Sequence, residues 1–269
     1  MDGRVLIVAG SDSGGGAGIQ ADIKAVTALG GFAMTAVTAL TAQNSQGVHG
    51  IFGVDTGFIG QQMRVVLDDL GVDCLKTGML HSVGVIETVA ETLAVKASDV
   101  PLVSDPVMVA KGGALLLDEG ASAALVGLIV PRAEVLTPNA PEAAVLTGLT
   151  VDDEAGQRRA GERLLEMGAR AVLVKGGHID GPDVVDLLFT PHDTIRFADT
   201  RIDTRHTHGT GCTLASSIAA GIAQGMTLVD AVARARAYVR QAIAAAPGYG
   251  HGHGPLDHGV TFDPDRLTL

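Results

Sequence analysis

Arg4-Val-Leu-Ile-Val-Ala-Gly-Ser-Asp-Ser-Gly-Gly-Gly-Ala-Gly18 decides how this chain folds. Arg4 to Ala9 is a short, continuous apolar run that ends in Gly10 and a Ser/Gly cluster, the pattern of a strand buried on both faces. From Gly16 to Leu29 the apolar residues Ile19, Ile23, Val26 and Leu29 recur at helical spacing, and Gly30 is the stop signal. The unit is therefore a strand, a glycine-rich turn and a helix.

The same alternation runs outward along the chain. Strands are expected at Ala33–Thr41, Cys74–Thr77, Pro101–Ser104, Glu134–Thr137 and Ala171–Lys175, with helices at Phe58–Leu70, Val83–Ala94, Ala140–Leu146 and Asp153–Met167. Val184–Thr190 and Thr194–Ala198 read as a late antiparallel pair, and Thr210–Gln224 and Leu228–Ala245 as two Ala-rich helices before an irregular tail, Pro247–Leu269. Regular βα alternation implies an α/β fold, a mostly parallel central sheet flanked by helices on both faces. With no linker or composition shift inside it, residues 1–269 read as a single domain.

Composition narrows the function. Nineteen Lys and Arg against thirty Asp and Glu give a net charge of −11 across 269 residues with no basic block, so no nucleic-acid partner is expected. Thirty-six Gly, six Phe, two Tyr and no Trp suit a helix-packed parallel sheet and leave little for base stacking. Cys74 and Cys212 make neither a disulfide framework nor a zinc spacing, and no export signal is evident, so a cytoplasmic setting is expected. The uncharged stretch Ala25–Val54 is long enough to suggest a membrane span. Gly30-Gly31 and Gln43-Asn-Ser-Gln46 break it, so a buried strand between turns is expected instead.

Several segments carry chemistry. The Gly10–Gly18 turn lacks the P-loop ending and the dinucleotide spacing, yet five glycines in nine residues point to a ligand approaching the backbone. Asp22 follows early in the helix, where a carboxylate complements the N-terminal dipole. Gln43 ends the second strand, where a carboxamide can pair with a heteroaromatic ring edge. In Thr207-His-Gly-Thr-Gly-Cys-Thr213, Gly209 and Gly211 let successive amides turn inward at a helix start, an anion site, and Cys212 stands where the dipole is expected to lower a thiol pKa. Cys74, inside an apolar strand, reads as inert packing. Asp105, Asn139 and Glu142 lie at strand ends and together fit a nucleotide–Mg²⁺ site, and Lys175 either meets a phosphate or is a solvated strand-end lysine. The His206/His208 and His251/His253 pairs lack further ligands at zinc spacing and read as a loop cluster.

Val5–Asp22, Thr38–Ser45, Lys76–Leu80, Asp105–Met108, Leu136–Asn139 and His206–Thr213 together resemble the hydroxymethylpyrimidine/phosphomethylpyrimidine kinases of thiamine biosynthesis, over essentially the whole chain. The resemblance implies a ribokinase-like fold, a homodimer, ATP with Mg²⁺, and two successive phosphorylations of 4-amino-5-hydroxymethyl-2-methylpyrimidine. It also implies roles for individual residues. Gln43 would hold the aminopyrimidine edge, and Gly10, Asp22, Met79 and Val107 would line the substrate pocket. Cys212 would stand in the place of the base, with the amides from Gly209 through Thr210 and Gly211 to Cys212 as the anion hole. Asp105, Asn139, Glu142 and Lys175 would serve Mg²⁺ and the triphosphate. Cys74, Arg132 and Glu134 depart from the small or apolar residues expected at their places. A pyridoxal kinase of the same superfamily, a non-catalytic pyrimidine-binding module and a histidine-based metal hydrolase are the competing readings.

Overall fold

The computed structural model describes residues 1–109, 113, 116–118 and 120–263. The tail expected to be irregular carries no helix or strand as far as residue 263, and 264–269 lie outside the described residues. In chain order the elements are β1 (Arg4–Asp12), α1 (Gly18–Ala28), β2 (Phe32–Asn44), β3 (Gly47–Gly53), α2 (Thr56–Asp69), β4 (Cys74–Thr77), α3 (Val83–Lys96) and β5 (Leu102–Ser104). They continue with α4 (Ala121–Ala124), β6 (Val135–Leu136), α5 (Ala140–Thr147), α6 (Glu154–Glu166), β7 (Val172–Val174), β8 (Asp183–Phe189), β9 (Thr194–Thr200), α7 (Thr210–Ala223) and α8 (Leu228–Ala244).

The strands form one sheet in the order β3-β2-β1-β4-β5-β6-β7-β8-β9. Pairs from β2 to β7 are parallel, whereas β3 on one edge and β8 and β9 on the other run antiparallel. Alternation along β1 shows why both faces are covered. Leu6 and Val8 pack with Ile59 and Met63 of α2 and Ile86 of α3, while Val5 and Ile7 pack with Val26 of α1, Ile218 of α7 and Val232 of α8. Because β1 has β2 on one side and β4 on the other, the chain switches direction across the sheet there, and the carboxyl ends of these strands open a crevice.

Two features differ from expectation. β2 runs on to Asn44 and folds back as β3, a strand the sequence did not signal because most of it is exposed and no buried face imposes alternation. Residues 121–132 are helical but broken: a short α turn, a π-helical stretch Leu125–Ile129 and a 3₁₀ turn Val130–Arg132, with no single period to detect. No helix among the described residues is long and apolar enough to cross a membrane, and the uncharged Ala25–Val54 stretch is largely β2 and β3.

Candidate active site

β1 ends on Asp12, whose carboxylate organises the glycine turn. Oδ1 accepts from Gly14 N at 2.8 Å, and Oδ2 accepts from Gly16 N at 3.1 Å and Ala17 N at 2.8 Å. Burial pushes this carboxyl up, but the bond from His208 and the amides of Ala17 and Gly14 outweigh it and hold Asp12 below the usual carboxylate range. The second glycine turn locks onto the first. Gly209 has φ 82° and caps α7, and a Cβ there would collide with the carbonyl oxygen of Gly16. Only glycine fits both requirements.

α7 starts at Thr210 with no side-chain cap, and the amides of Gly211 and Cys212 have no acceptor among the described residues, so the helix start can receive an anion. Thr210 Oγ1 itself donates to Thr207 O at 3.2 Å. The Cys212 thiol does not follow the dipole expectation. Burial pushes it up to about 12, against the opposing pull of Lys76, so the thiol is protonated at neutral pH in the ligand-free chain. At this helix start the effect of burial is larger than that of the dipole.

Beside this turn lies a compact charged group. Lys175 Nζ donates to Asp105 Oδ1 at 2.9 Å and is 4.0 Å from Glu142 Oε2. At 12% side-chain exposure Lys175 is not a solvated strand-end lysine. Asn139 and Glu142 form a capping box at the start of α5, Asn139 Oδ1 accepting from Glu142 N at 2.9 Å and Glu142 Oε2 from Asn139 N at 2.8 Å. Burial, opposed by Lys175 and reinforced by Asp105, raises the Glu142 carboxyl to about 7. A Cβ placed on Gly211 would stand 3.3 Å from Lys175 Nζ and 3.5 Å from Asp105 Oδ2, so the charged group and the helix start share one space.

The other side of the crevice is apolar. Ala39, Met79 and Leu116 form a small cluster with Val48 and Val107 against it, separate from the two cores that flank the sheet. A Cβ on Gly10 would lie 2.5 Å from Met79 Cε, so the tip of the methionine rests on the glycine. Gly10, Met79 and Val107 thus lie close together. Gln43, half-buried on β2, stands at the rim with Nε2 3.2 Å from His208 Nε2. Asp22 does not join them. It is fully enclosed, both oxygens 2.9 Å from Lys76 Nζ and Oδ1 accepting from Ser216 Oγ at 2.7 Å. Lying beyond the first turn of α1, it neither lines a pocket nor caps the helix. Asp22, with both oxygens accepting from Nζ, holds Lys76 protonated against the pull of burial.

The phosphomethylpyrimidine kinase family model matches residues 12–257. The chain belongs to that family. A Streptomyces coelicolor hydroxymethylpyrimidine/phosphomethylpyrimidine kinase is 51% identical over 255 residues, covering 95% of this chain and 94% of that protein. A bifunctional thiamine biosynthesis protein ThiED of Geobacter sulfurreducens is 51% identical over 95% of this chain, which spans 52% of that longer protein. Among solved structures, an ADP complex of Bacillus subtilis pyridoxal kinase superposes with a TM-score of 0.88 at 33% identity, covering 96% of this chain and 98% of that one. The mostly parallel α/β sheet read from the repeat, and the ribokinase-like fold implied by the resemblance, are therefore the fold of this phosphomethylpyrimidine kinase family member.

Three buried polar residues of this kinase family member lie around the site without being singled out in the sequence: Asp12, Lys76 and His208. Each had a signal. Asp12 precedes glycines in a turn, the setting in which an Asp side chain binds the backbone ahead of it. Lys76 is a charge inside an apolar strand, which demands a partner. His208 was grouped with its histidine neighbours, whereas its partner is Asp12, 196 residues away.

Proposed function

We propose that this chain transfers the γ-phosphoryl group of ATP to the hydroxymethyl oxygen of 4-amino-5-hydroxymethyl-2-methylpyrimidine, and then phosphorylates the monophosphate to the diphosphate, in thiamine biosynthesis. The observation that carries this is the shared space of Gly211, Lys175 and Asp105 at an uncapped helix start, at the same strand ends as a small apolar cluster beside Gln43. A pure binding module has no use for that charged end. Family membership and the two 51% identical relatives support the substrate class, and the ADP complex of the similar pyridoxal kinase supports ATP as donor.

Each residue then has a task. Gln43 meets the ring edge; Gly10, Met79 and Val107 enclose the ring. The amides at Gly211 and Cys212 with Thr210 receive the charge that develops on the transferred group, and Lys175 adds a positive charge beside it. The acceptor oxygen bonds to the γ-phosphorus as the bond to the ADP oxygen breaks, and the hydroxyl proton passes late to Cys212. Because the thiol is protonated in the ligand-free chain, where the pull of Lys76 toward the thiolate is outweighed by burial, this role requires that it ionise in the loaded site. Asp105 and Glu142 are hard oxygen donors near one cation, and that set fits Mg²⁺, which takes one or two carboxylates and fills its remaining positions with phosphate and water. Bound there, Mg²⁺ would offset charge on the nucleotide phosphates. Asn139 holds Glu142 in place through the capping box.

We further infer that residues 1–269 form a single domain, since one sheet runs from Arg4 to Thr200 with α7 and α8 packed on it. A homodimer is supported by the β2–β3 edge, where Leu40 is 48% and Phe52 71% exposed. A free thiol at the reacting position suits a reducing cytoplasm.

Likeness to a pyridoxal kinase keeps a second reading in play. ATP turnover measured on hydroxymethylpyrimidine, its monophosphate and pyridoxal separates them: turnover on both pyrimidines is expected, and turnover on pyridoxal alone would overturn the proposal. Binding without ATP consumption would revive the non-catalytic module.

A further inference from the structure

His208 is nearly buried, at 9% exposure, and phosphoryl transfer as derived above makes no use of it. Its Nε2 lies 2.9 Å from Asp12 Oδ2 and 3.2 Å from Gln43 Nε2. Gln43 Oε1 in turn is 3.2 Å from Thr41 Oγ1, whose hydroxyl is 3.0 Å from Ser11 O.

Hydrogen-bond accounting fixes the protons in this chain of contacts. A carboxylate that accepts from Gly14, Gly16 and Ala17 is ionised and can only accept, so the imidazole nitrogen facing it carries the proton. An Nε2–H cannot also meet an amide NH₂. Oxygen and nitrogen of a carboxamide have nearly the same shape, so the network rather than packing decides which end points where. With the amide turned over, its oxygen shares the single His208 Nε2–H with Asp12 Oδ2 in a three-centre bond, its nitrogen donates to Thr41 Oγ1, and the Thr41 hydroxyl donates to Ser11 O. Each of these contacts then pairs a donor with an acceptor. One oxygen lone pair and one N–H of Gln43 remain for a ligand.

We propose that His208 is a positioning residue: anchored by Asp12, its Nε2–H sets which way round the Gln43 carboxamide stands, and so which half of the amide each atom of the bound ring edge meets. A ring with an amino group beside a ring nitrogen offers a donor next to an acceptor, and such an edge is recognised only by an amide of fixed polarity. The proposal rests on the reading of Gln43 as the residue that meets the pyrimidine.

The test uses the full chain with His208→Leu and His208→Gln, each alone and combined with Gln43→Ala, and reads KM for hydroxymethylpyrimidine, KM for ATP and kcat. His208→Leu is expected to raise the pyrimidine KM about tenfold, the worth of one oriented hydrogen bond, while KM for ATP stays within about twofold. His208→Gln, which keeps a side-chain N–H donor, should recover most of that loss. In the Gln43→Ala background the His208→Leu effect should vanish, since contacting residues are not additive. Equal effects in both backgrounds, or equal effects on both substrates, would show a scaffold role and overturn the proposal. A Gln43→Ala variant with unchanged pyrimidine KM would overturn the reading of Gln43 first, and this inference with it. If the leucine variant does not fold, imidazole ¹H–¹⁵N correlation spectra of the unmodified protein decide, with His208→Gln used for assignment: an Nε2–H tautomer is expected, and an Nδ1–H tautomer contradicts it.

Discussion

Two aspartate–lysine pairs surround Cys212, and they are chemically alike and functionally unlike. Asp22–Lys76 and Asp105–Lys175 each have an Nζ···O distance of 2.9 Å. The first pair is sealed, with 0% exposure on both side chains and Ser216 completing the carboxylate. The second is 12% exposed at Lys175, shares its lysine with Glu142 and borders the open start of α7. An ion pair whose partners are all inside the protein contributes order; one that faces an uncapped helix start can exchange a partner for a ligand. What a buried charge is left facing, more than its own chemistry, separates the two roles.

Substitution should break that contrast in opposite ways. Lys175→Met is expected to lower kcat about 10²–10³-fold for both phosphorylations at saturating ATP, as for loss of a group that stabilises transition-state charge; steady-state kinetics would read it. Lys76→Met leaves Asp22 buried without its cation and is expected to cost about 3–5 kcal/mol of stability in urea unfolding. The double variant Asp22→Asn/Lys76→Met should regain a large part of that loss, because no charge is then stranded.

A smaller effect lies one turn further along. His258 Nε2 is 3.0 Å from Thr213 Oγ1 on α7, and burial, aided by Lys24, pushes this histidine down to about 4. Unfolded, it takes a proton near pH 6.5, so between about 6.5 and 4 the unfolded state binds the additional proton. Stability from this group is complete above that window and falls as the pH drops through it. The urea midpoint should therefore decline between pH 7 and 4.5, and less steeply in His258→Gln.

The two pairs also mark how far the sequence can be read. β1, the glycine turn, α1, β4 and the starts of α3 and α7 are local patterns, and Cys74–Thr77 lies where the apolar run puts it. The places of Gly209, Cys212, Asp105 and Lys175, though not their roles, are legible because each follows a strand or lies at a helix start. Asp22 was misread because its partner Lys76 is 54 residues away and nothing in the first turns of a helix announces it. The Cys212 thiol was misread for a related reason: the helix dipole is local, whereas the burial that overrides it comes from elements distant in the chain. β3 and residues 121–132 escaped because neither exposed edge strands nor π and 3₁₀ turns keep one period.

Cys212 as proton acceptor is the central claim, and the two successive phosphorylations supply their own control. The hydroxymethyl oxygen must lose a proton, whereas a monophosphate, with its second pKa near ~6, already presents an ionised oxygen at pH 8. The most direct measurement is kcat and KM of Cys212→Ala on both acceptors at that pH. Turnover on hydroxymethylpyrimidine should fall about 10²-fold or more, with KM little changed, and turnover on the monophosphate should fall far less. Turnover on hydroxymethylpyrimidine near the unmodified value, or equal losses on both acceptors, would contradict it.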